Sequence, residues 1–165
     1  MLLAKLICKE LGCARRMWLF DTFEGMSEPT ELDCKGSDGT AAAPIWSQRN
    51  KLDYVDWCFA SIEDVQNTFK RFDAFDNSIR LIKGKVEQTL LASENLPEQI
   101  AVLRLDTDWY ESTKVELEVL YPRLVTGGVL IIDDYGHWLG ARKAVDEFFS
   151  GGHVLLHRVD YTCRL

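Results

Sequence analysis

Four carboxylates stand at the ends of two apolar runs, LRLDTD (Leu103 to Asp108) and LIIDD (Leu130 to Asp134), and a fifth, Asp21, ends the run MWLFD. Neighbouring strands lie about 4.8 Å apart, so carboxylates that end two of them can converge on one point. Carboxylate oxygens are the ligands of a hard cation such as magnesium, which binds oxygen at about 2.1 Å. For a single Asp, capping of the following helix is the simpler account. Four on two strands, with no basic partner immediately adjacent, would repel one another unless a cation lay between them, and this favours a metal site. Asp21 suits another task. A carboxylate at a strand end accepts hydrogen bonds from ribose hydroxyls, as in dinucleotide-binding folds, with turn capping as an equal alternative. His137, in DDYGHW, follows the second carboxylate pair as a candidate ligand or base, beside the simpler reading of a solvated loop histidine. Trp46, Trp109 and Trp138 fall outside the strands and are candidates to wall a substrate pocket, whereas Trp18 and Trp57 read as core. Arg142 and Lys143 open a helix, where a cation opposes the dipole. That hints at an anionic partner, with ordinary surface solvation as the plainer account.

The elements that must position these residues follow from periodicity. Leu3, Leu6, Ile7 and Leu11 recur at helical spacing, and Gly12 stands where a C-terminal cap belongs. Strands are expected over Met17 to Phe20, Ile79 to Ile82, Ile100 to Leu105, Val129 to Ile132 and Val154 to Val159. Between them, Ser61 and Asp64 form a capping box for a helix whose buried face is Ile62, Val65, Phe69 and Phe72. Further helices are expected near Val86 to Leu91, Glu111 to Leu120 and Ala141 to Phe149. Residues 22–50 carry Gly25, Pro29, Gly36, Gly39 and Pro44 with few periodic apolar positions, which reads as a long loop acting as a lid or binding segment. Strands alternating with helices pair in parallel through right-handed crossovers, giving a doubly wound α/β sheet whose ligands sit at the carboxyl ends of its strands.

With 165 residues, 47% hydrophobic and 27% charged, the chain is expected to be one globular domain over 1–165, neither disordered nor fibrous. A formal net charge of -7 repels phosphate backbones and anionic lipid surfaces, which argues against nucleic-acid and membrane partners. Five scattered cysteines in no CxxC spacing argue against a disulfide framework and a zinc site, and fit a cytoplasmic setting. Lys5 and Lys9 interrupt the first apolar stretch, so it reads as an amphipathic helix rather than a leader.

A DxD at a strand end also occurs in metal-dependent glycosyltransferases and in haloacid-dehalogenase-like phosphatases. Too little chain lies between Asp106 and the DD pair for the lysine strand of the latter, and the former leaves Asp133 and Asp134 unexplained. A degenerate α/β domain that binds or assembles without catalysis is a third reading. WLFDTFEGM (Trp18 to Met26), IRLIKGKVEQTL (Ile79 to Leu90), LRLDTDWYESTKVELEVLYPRLVTGG (Leu103 to Gly128) and VLIIDDYGHWLGARKAVDEFF (Val129 to Phe149) closely resemble the macrocin O-methyltransferase (TylF-like) family, over nearly the whole chain. Members of that family methylate sugar hydroxyls in antibiotic biosynthesis, using S-adenosylmethionine and magnesium.

The resemblance implies a Rossmann-like class I methyltransferase sheet with helices on both faces. It implies Asp106, Asp133 and Asp134 as magnesium ligands and Asp108 as general base. Asp21 would hold the ribose of S-adenosylmethionine, and the stretch around Gly84 to Val86 would border its adenine. The partner implied is a small-molecule hydroxyl acceptor carrying a sugar, with homo-oligomerisation left open. Family members begin with a strand and a glycine-rich turn ahead of the first helix seen here, and continue a last strand beyond Leu165. The expectation is therefore a sheet whose first, central strand is missing, with an inactive methyltransferase-like remnant as the alternative.

Overall fold

The computed structural model describes residues 1–152 and 154–165. Helix α1 (Leu2–Glu10) leads into strand β1 (Met17–Asp21), and a long connection holds helix α2 (Ala42–Arg49). Helix α3 (Ile62–Arg71), strand β2 (Ile79–Lys83) and the short helix α4 (Val86–Thr89) follow. Strand β3 (Ile100–Leu105), helix α5 (Tyr110–Leu120), strand β4 (Leu124–Ile132) and helix α6 (Leu139–Phe148) complete the order.

The α/β alternation is realised as two parallel pairs rather than as one continuous sheet. β1 pairs with β2 in the register Met17 to Ile79 through Asp21 to Lys83. β3 pairs with β4 through Leu103 opposite Leu130 and Leu105 opposite Ile132, after an irregularity between Ile100 and Val102. No ladder joins β1 to β3 among the described residues. They are held through side chains instead: Phe20 of β1 packs on the main core, to which Val86 of α4 and Leu90 just after it contribute.

That core gathers Leu103 and Leu105 of β3, Ile132 of β4, Leu117 and Leu120 of α5 and Val145 of α6. Side chains alternate along a strand, so Arg104, between two inward leucines, faces outward. A second core joins Leu2 and Leu6 of α1 to Met17, Phe69, Ala74 and Ile79. Lys5 anchors α1 beside it, with Nζ at 2.8 Å from Asp76 Oδ2 and 2.6 Å from Ser78 Oγ. The capping box forms as the sequence suggests: the Asp64 amide donates to Ser61 Oγ at 3.1 Å, and the Ser61 amide to Asp64 Oδ2 at 3.3 Å.

Three expectations are corrected. Phe72 caps the end of α3 and stands 49% exposed, because the chain turns there before a fourth turn of helix could aim it at the core. Residues 22–50 are not structureless, since α2 forms within them, its Pro44 lying in the first turn where a missing amide hydrogen costs nothing. The segment 154–159 forms no strand. The place beside β4 is taken by an antiparallel bridge between Ile132 and Arg164, which exchange backbone hydrogen bonds at 2.9 and 2.8 Å.

Candidate active site

The site lies where β3 and β4 end. Asp106, Asp108 and Asp134 each offer a carboxylate oxygen within 4.8 Å of the others. Asp106 and Asp108 come from the turn between β3 and α5, Asp134 from the turn after β4. Asp133 lies against Asp106 at the edge of this group. Its amide extends the β3–β4 ladder by donating to the Leu105 carbonyl at 3.0 Å, and its carboxylate is bound by Nη2 of Arg104. Nη1 of the same guanidinium binds Asp106. Arg104, Asp106 and Asp133 share the outward side of the pair, so alternation along β3 had marked this cation as a neighbour although it is not adjacent in sequence.

The gathered charges are poorly neutralised. Burial raises the Asp108 carboxyl to about 9, with the Asp134 charge adding to the rise. Asp106 is raised to about 7, first by burial and then by its contact with Asp133, while Arg104 pulls it down. Asp134 is raised by burial as well. Three carboxylates that resist ionising together are the donor set that a divalent cation would relieve, and their chemistry fits magnesium.

The turn that carries them is unusual. Asp108 has a φ of +70°, and the Trp109 amide donates to the Thr107 carbonyl at 2.8 Å. From the buried side, Asp33 of the long connection holds the start of α5, its Oδ1 accepting the Tyr110 amide at 2.8 Å. Its Oδ2 accepts the Thr30 amide at 2.7 Å and the Thr30 hydroxyl at 2.9 Å. Asp33 went unnoticed in the sequence because it sits among Glu28 and Glu31, with no apolar pattern to mark a buried position.

A cavity of about 410 Å³ opens beside Asp108 and Asp134. His137, Trp138, Tyr161, Thr162, Arg49 and Trp57 are among the residues that line it. His137 Nδ1 and the Tyr161 hydroxyl are 3.2 Å apart. Trp109 is core rather than wall, packed edge-on to Trp138 at 4.9 Å, and Trp57 packs on that buried cluster while also lining the cavity. Trp46 donates its indole N–H to the Met26 carbonyl at 2.8 Å. A larger groove of about 540 Å³ runs along α6, away from the carboxylates. There Arg142 and Lys143 pair with Asp146 and Glu147 on their own helix, which accounts for both cations.

Asp21 and Gly84 come together at the ends of β1 and β2, where the Gly84 amide donates to the Asp21 carbonyl at 3.0 Å. The Asp21 carboxylate accepts the Phe23 amide at 2.6 Å and remains exposed. The Val86 side chain is buried in the main core, so at that position the backbone is what faces outward.

Comparison with known proteins gives a consistent picture. The family model described as Macrocin-O-methyltransferase (TylF) matches residues 1–164. The chain is 38% identical over 130 residues to the 8-demethyl-8-(2,3-dimethoxy-alpha-L-rhamnosyl)-tetracenomycin-C 4'-O-methyltransferase of Streptomyces olivaceus, covering 74% of this chain and 42% of that protein. It is 34% identical over 136 residues to the demethyldecarbamoylnovobiocin O-methyltransferase of Streptomyces niveus, covering 81% and 47%. The chain thus spans about half the length of the curated relatives it matches. The solved O-methyltransferase NovP superposes with a TM-score of 0.78 at 30% identity, over 99% of this chain and 64% of that one. The calicheamicin methyltransferase CalS11, at 22% identity and a TM-score of 0.60 over 91% of this chain and 59% of that one, shares the fold.

Proposed function

The chain belongs to the macrocin-O-methyltransferase family, and from that premise we propose that it carries a metal-assisted transfer of the S-adenosylmethionine methyl group to a hydroxyl of a small, sugar-bearing acceptor. The observation that carries this reading is the convergence of Asp106, Asp108 and Asp134, the last two lining a cavity.

Each group then has a task. Asp106, Asp133 and Asp134 would hold a magnesium ion, with Arg104 bound to the first two. The bound cation would lower the proton affinity of the acceptor hydroxyl and fix its direction. Burial holds the Asp108 carboxyl high, and a cation bound beside it would bring it to the carboxylate form, in which it would take the hydroxyl proton. Trp57, half-buried at the cavity, offers an apolar face against which a sugar ring can lie. Asp21 accepts the ribose hydroxyls of the methyl donor, and the backbone from Gly84 to Val86 borders its adenine. The remaining work of the site is to hold hydroxyl and methyl group in line at attack distance.

Titration calorimetry with S-adenosylhomocysteine and with magnesium, separately and together, tests the proposal. Binding of both is expected, and failure of both to bind at millimolar ligand would overturn it in favour of a non-catalytic domain.

A further inference from the structure

Glu116, on α5, is only 5% exposed and has no task in the scheme above. The Thr107 hydroxyl donates to its Oε2 at 2.9 Å. Thr107 stands between Asp106 and Asp108 and supplies the carbonyl that the Trp109 amide closes upon at 2.8 Å. That i to i+2 bond around a residue at φ +70° is a γ-turn of the strained hand. Such a conformation persists where its surroundings over-determine it. Two restraints act downstream of the turn or on its carbonyl: Asp33 on the Tyr110 amide, and the Ser112 hydroxyl, 3.4 Å from the Thr107 carbonyl. The Thr107 side chain is fixed from below by Glu116.

We propose that Glu116 is a positioning residue which locks the strained turn at Asp108, and so sets the spacing of the carboxylates that receive the cation. This rests on the proposed reading of Asp106, Asp133 and Asp134 as the ligands of a cation, with Asp108 beside them. Burial pushes the Glu116 carboxyl up to about 8, against the pull of Thr107, with Glu87 and Asp106 adding repulsion. At neutral pH it is therefore a carboxylic acid, which ties the turn without placing another negative charge beneath the carboxylates. A uncharged amide of the same shape can do the same work, whereas an apolar side chain cannot.

Magnesium affinity and thermal midpoint, measured side by side on the full chain, test this. Glu116→Gln should bind magnesium within about twofold of the unaltered protein. Glu116→Leu should fold with little change in midpoint, since it fills similar space, yet lose about tenfold or more in affinity, the scale seen when a residue supporting a metal ligand is removed. Thr107→Val, which deletes the same hydrogen bond from the other end at almost constant shape, should show the same loss. The double variant should lose no more than either single one, as expected for two ends of one interaction. Retention of full affinity in Thr107→Val, or an equal loss in Glu116→Gln, overturns the role of Glu116, and this holds even where Glu116→Leu does not fold. Absence of magnesium binding by the unaltered protein would instead sink the cation-site reading, and this inference with it.

Discussion

The Asp33 carboxylate, 0% exposed, accepts the backbone N–H of Tyr110 at 2.8 Å and thereby caps the helix that follows the turn of Asp106 and Asp108. A residue from a connection rich in glycine and proline is thus part of the floor of the site. Gly140 of α6 leaves room for it, since a Cβ there would lie 2.0 Å from Asp33 Oδ1. Loss of a helix cap together with hydrogen bonds to a charged group costs about 2–4 kcal/mol. Asp33→Ala should lose stability on that scale in urea unfolding. Asp33→Asn should lose less, since its amide oxygen can still cap Tyr110.

Magnesium binding should tighten as pH rises. Asp106, Asp108 and Asp134 all have carboxyl groups raised above their ordinary range, so protons must leave before the cation can enter. Calorimetry at pH 6 and pH 8.5 should show stronger binding at the higher value, with proton release seen as a dependence of the heat on the buffer. Without metal the sign for stability is the reverse. Groups whose carboxyl is raised in the folded state contribute stability at low pH, and that contribution fades as pH climbs from the ordinary carboxylate range towards about 9. The metal-free protein should therefore unfold more readily at pH 9 than at pH 6, and magnesium should narrow the difference.

Arg104 pairs with both Asp106 and Asp133, and would compete with a cation for them. Arg104→Met removes a like charge from the metal's neighbourhood and frees Asp133, so magnesium should bind several-fold more tightly. Adding Asp133→Asn should cancel that gain. Weaker binding in Arg104→Met would show that the guanidinium orders the ligands instead of competing for them.

Gly136 admits the chain's closing segment, because a Cβ there would lie 1.7 Å from the Tyr161 carbonyl oxygen. Gly136→Ala must push that segment away and take Tyr161 and Thr162 from the cavity wall. Overpacking of this kind costs about 1–3 kcal/mol. A lowered thermal midpoint and a changed tryptophan emission from Trp138 are the expected readouts.

Much of this was legible in the sequence where local pattern and structure agree. Asp106 and Asp134 end apolar runs that could hardly be anything but strands, and Ser61 with Asp64 announces a helix start by mutual hydrogen bonding alone. Asp33 was illegible because its burial comes from contacts with α5 and α6, distant in sequence. Arg104 was overlooked because its relation to Asp106 is one of strand parity rather than adjacency. The apolar stretch after Val154 reads as a strand, yet a strand needs a vacant neighbour, and Arg164 already bonds to Ile132.

The division of the strands into two separate pairs bears on how the reaction would be aligned. Asp21 and Gly84 belong to one pair and the carboxylate cluster to the other, with no ladder of backbone bonds between them. On the proposed reading, donor and acceptor would be brought into line by the fit of Phe20, Val86 and Leu90 into a shared interior, which is a matter of side-chain volume. Trimming one of those apolar groups would misalign the reactants while leaving every polar residue of the site in place.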